Sequence, residues 1–194
     1  GTWPYPLRHA AGVAPPRAGD DLRCGAPQNA RTLYGNAIRR SFEERGASGA
    51  AAYIADATST PAAYTDPIGK HSVSTPQSSV TVAWDDKATD IETNLEKIIT
   101  QKWIAIFPLG VEAWSEHRRT GYPRLLPVVA DKSGGGVDVA QGARRLPYPV
   151  EEYQQNNTNL QAAIQTLNTE QKNGNRTGDQ MGTRVWWDCK PYNN

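Results

Sequence analysis

In QKWIAIFPLGVEAWSEHRRTGYPRL, residues 101–125, an apolar helix end, a proline break, a tryptophan-bearing helix and a basic turn follow one another. The stretch closes a longer amphipathic run. Ile91, Leu95, Ile98, Ile99, Trp103 and Ile106 recur at helical spacing and make one apolar face. Thr89-Asp90-Ile91-Glu92 reads as a capping box at its start, with the Thr89 hydroxyl and the Glu92 carboxylate satisfying orphan amides. Pro108 has no N–H to give a helical ladder, so the helix ends or kinks near Phe107. Val111 and Trp114 continue the spacing in a shorter helix that stops before Gly121. A partial echo, RRLPYPVEEYQQNNTNL at 144–160, repeats the pattern of a basic pair, a Tyr-Pro turn and a helix entry.

Upstream, Leu33, Tyr34, Ala37, Ile38 and Phe42 place another helical stripe, with Gly46 as its C-cap and a shorter helix over about Ser48 to Ala55. From Thr58 to Asp86 the chain is rich in Ser, Thr, Pro and Gly and reads as surface loop, with an extended stretch at 80–84. Leu160, Ala163, Ile164 and Leu167 form the buried stripe of a helix from about Asn157. TRVWWD, 183–188, reads as a short extended segment, which would send Trp186 and Trp187 to opposite faces. One of the pair then serves the core, and the other a surface platform, a partner contact or a face buried under an N-terminal part outside this chain. Residues 1–31 differ from all this. They are Pro-rich without a helical period, and the expectation is an atypical arm, non-native or disordered, or else divergent.

The order of these motifs resembles the C-terminal part of the SusD/RagB family of outer-membrane nutrient-binding lipoproteins. The likeness covers residues 32–194. It rests on SFEERGAS at 41–48, on Arg118, Arg119, Tyr122 and Pro123 in the first basic turn, and on Arg144, Arg145, Tyr148, Pro149, Glu152 and Asn156 in the second. The resemblance implies a mainly α, tetratricopeptide-like helical scaffold with long irregular loops and a few short extended segments, incomplete relative to the family. No repeat of about 34 residues is visible to show this independently. It further implies a non-catalytic protein on the outward face of the bacterial outer membrane. Such a protein captures an oligo- or polysaccharide and passes it to a SusC-like TonB-dependent transporter. A lipid anchor and export signal would belong to a part outside this chain.

The residues themselves add exclusions. Twenty-one basic against twenty acidic residues give a net charge of +1, no footprint for nucleic acid. No run approaches the roughly 18 apolar residues of a membrane span. His9, His71 and His117 show no metal-ligand spacing, and no nucleophile elbow or phosphate loop occurs. No cofactor is expected. Asp131 to Asp138 has a faint calcium-loop look without the alternating carboxylates. Asp85-Asp86 and Glu151-Glu152 are adjacent acids, which read as solvated surface or helix N-termini rather than the separated pair of a glycosidase. Cys24 and Cys189 allow one disulfide and require none.

Six Trp and eight Tyr against two Phe is the notable bias, since their flat faces suit core packing and sugar rings equally. Trp103 and Trp114, on apolar faces, read as core. Tyr64 and Trp84, in and at the end of the long loop, are the candidate ligand-binding residues; no catalytic or metal residue is assigned. The two basic turns read as fold determinants, joined by a buried Arg-Glu-Asn network. Two alternatives stand beside glycan capture: a structural module of a transporter complex with no sugar site of its own, and a glycoside hydrolase remnant.

Overall fold

The computed structural model of the chain describes residues 27–171, 176–188 and 190. Among these lie six helices: α1 Pro27–Glu44, α2 Ala50–Ile54, α3 Ile91–Ala105, α4 Gly110–Thr120, α5 Val150–Gln155 and α6 Asn157–Glu170. No strand occurs among the described residues, only isolated bridges at Tyr64↔Val73 and Asp138↔Gly142. The chain forms two compact units. Among the described residues, unit 1 holds 27–117 with 122–125, and unit 2 holds 118–121 and those from Leu126 on.

The core of unit 1 is what the helical stripes require. Ala30, Tyr34 and Ile38 of α1 close on Leu95, Ile98 and Ile99 of α3, with Tyr122 completing the cluster. Phe42, Tyr53, Val82 and Trp84 pack on its margin. Helix α1 begins at Pro27, ahead of the Thr32 where the sequence pattern starts, so residues 27–31 are helical rather than irregular. The remaining arm, 1–26, and the two cysteines lie outside the described residues.

The N-terminus of α3 departs from the expected capping box. Asp90, not Thr89, is the cap: it sits in extended geometry and its carboxylate accepts the Thr93 N–H at 3.0 Å. That contact holds its carboxyl below the ordinary carboxylate value. A charged acceptor one residue nearer the helix also faces the positive end of the macrodipole. Glu92 instead accepts the Tyr122 hydroxyl at 3.0 Å.

Helix α3 ends at Ala105, and Arg45 caps it by donating to the carbonyls of Ala105 and Phe107. The Phe107–Pro108 and Tyr122–Pro123 peptide bonds are cis. In α4 the expected inward Val111 is 77 % exposed, and Ala113 and His117 take the buried positions. The shift in facing has a polar cause. Lys102 of α3, almost fully buried, donates to Glu112 at 3.0 Å and lies 3.6 Å from Glu116, so α4 turns its acidic side toward α3. Trp103 is half-buried against Ile106 and Ala113, and Trp114 is half-buried. His117 Nδ1 donates to the Pro123 carbonyl at 3.1 Å.

Unit 2 carries α5 and α6, and its buried side chains are mostly charged: Arg118, Arg144, Arg145, Arg184 and Asp188, with Leu160 the one large apolar residue buried among those described. Of the predicted α6 stripe, Ala163, Ile164 and Leu167 are half-buried.

Candidate functional site

Two constructions stand out from ordinary packing: the guanidinium network of unit 2 and the loop of unit 1 that carries Tyr64 and Trp84.

In unit 2 the two basic turns meet through guanidinium groups that donate to each other's backbone carbonyls. Arg118 donates to the Arg144 carbonyl at 2.5 Å, and Arg144 returns a bond to the Arg118 carbonyl at 2.8 Å. Arg144 also grips Asp188 with two parallel bonds, Nε to Oδ2 at 2.7 Å and Nη2 to Oδ1 at 2.5 Å. This fork-on-fork geometry is the strong form of a guanidinium–carboxylate pair. Arg184 donates to the carbonyls of Asp188 and Lys190 and to Gln141. The Arg118 guanidinium lies 4.9 Å from the centre of the Trp187 ring, a cation–π distance. Burial pushes Arg118 below its ordinary value, with Asp188 opposing and Arg144 adding to the shift.

Arg145 pairs with Asp179, which also accepts the Tyr148 N–H at 3.0 Å and the Tyr153 hydroxyl at 2.7 Å. Burial pushes the Asp179 carboxyl up, but Arg145, Tyr153 and the Tyr148 amide together bring it below its usual value. The sequence-predicted Arg-Glu-Asn network is therefore corrected. The turns are joined by the reciprocal guanidinium–carbonyl bonds of Arg118 and Arg144, while Asp188 and Asp179 pair with Arg144 and Arg145 of the second turn. Glu152 accepts from the Asn156 amide at 2.9 Å and Asn156 accepts from Asn159 at 2.6 Å, exposed side-chain bonds apart from the guanidinium groups.

The expected extended segment at 183–188 is likewise a turn, closed by Asp188 N–H to Val185 O at 2.9 Å. Trp186 stands 66 % exposed, while Trp187 is half-buried beneath Arg118. The internal carboxylate and carbonyl partners of these guanidinium groups mark the network as framework.

In unit 1 the loop from Ala55 to Asp90 contains no helix and no named strand. The 80–84 stretch is irregular, not extended. Trp84 is half-buried with its ring 5.6 Å from that of Tyr34, whose hydroxyl donates to Val82 O at 2.7 Å. Burial drives the Tyr34 hydroxyl well above its usual value. Tyr64 is 41 % exposed, and its backbone exchanges both hydrogen bonds with Val73, at 3.0 and 2.8 Å. Of the two candidates, Tyr64 thus keeps more of its ring in solvent, and Trp84 gives part of its face to the core.

Nearby acids are already used. Asp85 accepts from the Lys87 amide, and Asp86 pairs with Arg31 at 2.8 Å. A cavity of about 70 Å³ in the same unit is lined by apolar side chains of α1 and α3 with Tyr53 and Gln101. That is far below the roughly 300 Å³ at which ligand pockets begin. Among the described residues no group of three or more His, Cys, Asp or Glu gathers to hold a metal. No described helix is long and apolar enough to cross a membrane.

What sequence reasoning missed are the buried polar side chains of α3: Asn94, Glu96, Lys97 and Lys102. Lys97 donates to Thr81 Oγ1 at 3.1 Å and to Ala83 O at 2.5 Å. Burial pushes its ammonium below the ordinary lysine value, and Asp85 opposes that shift. The one signal available was their position on the same helix as the apolar stripe, and a surface lysine has the same appearance.

The described residues form a helical scaffold without strands, of the tetratricopeptide-like kind. The chain belongs to the SusD-like family, described as Susd and RagB outer membrane lipoprotein, which it matches over residues 4–188. That match starts within the Pro-rich arm. Among solved structures it is similar to a SusD homologue from Bacteroides thetaiotaomicron, at 49 % identity and a TM-score of 0.85 over 93 % of this chain and 37 % of that one. A chitin-binding SusD homologue from Flavobacterium johnsoniae gives 44 % identity and a TM-score of 0.82 over 94 % of this chain and 36 % of its own. A SusD homologue from Bacteroides ovatus gives 46 % and 0.82 over 93 % and 37 %. The chain spans a little over a third of the length of these proteins. No curated protein matches it.

Proposed function

We propose that this chain is part of a non-catalytic glycan- or nutrient-capturing protein on the outer face of the bacterial outer membrane, which delivers its ligand to a SusC-like TonB-dependent transporter. Membrane association in this reading comes through a lipid anchor. The observation that carries the reading is family membership, sharpened by 44 % identity to a chitin-binding SusD homologue. Capture without turnover agrees with the chemistry at hand. The acids nearest the candidate loop serve turns and ion pairs, and the exposed aromatic Tyr64 offers a stacking face. Tyr64 is the residue we assign to that face, with Trp84 behind it as the less exposed member. Residues 32–194 carry the SusD/RagB-like region in this reading.

Affinity gel electrophoresis against glycol chitin, starch and xylan tests it. Retardation by one polysaccharide, lost in Tyr64→Ala, is the expected result. A folded chain that migrates unchanged in all three gels overturns capture by these residues.

A further inference from the structure

The loop of unit 1 is pinned at three levels. At its base Ala83 N–H donates to Asp56 O at 2.8 Å, and the Asp56 carboxylate takes the amides of Thr58 and Ser59. At its waist Tyr64 and Val73 form the two-bond bridge. At its tip the Asp66 carboxylate accepts the N–H groups of Ile68, Lys70 and His71, and Ser72 Oγ accepts the Asp66 amide. Gly69, with φ of +73°, supplies the left-handed residue that this tight turn requires.

These bonds fix the loop to itself. Its fixation to α3 comes from three helix side chains, each 5 % exposed and each addressing a different loop residue. Asn94 exchanges two bonds with the Asp85 backbone, at 3.1 and 2.8 Å. Glu96 accepts the Ser78 hydroxyl at 2.5 Å and pairs with Arg124 at 3.3 Å. Lys97 holds Thr81 and Ala83.

We infer that Asn94, Glu96 and Lys97 are positioning residues. They hold the returning leg of the loop, 78–85, in one register, and through the base and the bridge they set the orientation in which Tyr64 meets a sugar ring. Burying three polar side chains on one helix is costly unless each is satisfied. Apolar residues there would hold the loop without direction, and hydrogen bonds to three separate addresses select one arrangement. A preset loop spares the ligand the ordering cost of a long irregular segment. The inference rests on the glycan reading for its ligand and on the anchoring geometry for its mechanism.

Two variants separate these. Lys97→Met keeps the aliphatic stem and removes the ammonium. Ser78→Ala removes a contact from the loop side and leaves the helix untouched. Hydrogen exchange at the Val80, Ala83 and Asp85 amides is expected to speed up about tenfold in both, with far-UV circular dichroism unchanged. Polysaccharide affinity is expected to fall about tenfold, a change of about 1.4 kcal/mol. Tyr64→Ala is expected to add little to Lys97→Met, because the two act on one contact. Unchanged exchange in both variants overturns the anchoring. Loosened exchange with unchanged affinity, or full additivity of the Tyr64 effect, overturns the positioning role. A wild-type chain retarded by no polysaccharide overturns the glycan reading and the sugar-positioning role with it. The exchange rates still decide whether the three residues anchor the loop.

Discussion

Among the described residues, the most deeply buried large side chains of unit 1 are Leu95, Ile98, Ile99 and Ile106, whereas in unit 2 they are Arg144, Arg184, Thr120, Thr183 and Asp188. The first set stabilises by removing apolar area from water, roughly 1.5–3 kcal/mol for each large side chain. The second is stable only as a set. Each guanidinium taken from water must recover its hydration from a carboxylate, a carbonyl or a ring. An apolar core tolerates a changed methyl group. A charged one does not tolerate a missing partner, and the two units should therefore fail differently.

The largest effect that separates them is expected at Asp188. Asp188→Ala leaves Arg144 and Arg184 without their shared carboxylate and should cost about 3–5 kcal/mol, read by urea unfolding. Ile98→Ala in unit 1 opens a cavity and should cost about 3 kcal/mol by the same measurement. A smaller cost at Asp188 than at Ile98 would break the contrast. Asp90→Ala removes the cap of α3 and should cost about 1 kcal/mol, detectable as a modest fall in melting temperature.

The mildest probe is acid. The Asp179 carboxyl sits below its ordinary 3.8 in the folded state. The stability it contributes is present above that value and is lost as pH falls through the lower folded value. Thermal melts below about pH 4 should therefore show a loss of stability that Asp179→Asn lacks.

The sequence made the helices legible because periodicity, caps and proline breaks are local signals. It marked Arg118, Arg119, Arg144 and Arg145 as framework through their turns. It could not show what they pair with. Arg144 meets Asp188 across 44 residues and Arg145 meets Asp179 across 34, and no spacing rule joins them. Glu152 and Asn156 enter through the resemblance of their motif to the family, and their side chains bond to each other and to Asn159 instead.

The candidate site was half legible. A Tyr in a Ser/Thr/Pro-rich loop reads as exposed, and Tyr64 is. Trp84 lies on Tyr34 because the loop closes back at Asp56, a contact between segments that composition does not encode. The buried Lys97 and Lys102 were illegible for the same reason. Each owes its burial to groups outside its own helix.

The contrast between the two units is tested most directly by residue-resolved hydrogen exchange on Asp188→Ala. The Arg144 and Arg145 amides, both bonded to Met181 O, should lose protection while the amides of α3 keep theirs. Retained protection at Arg144 and Arg145, or an equal loss along α3, would contradict a unit 2 held together by its guanidinium–carboxylate network.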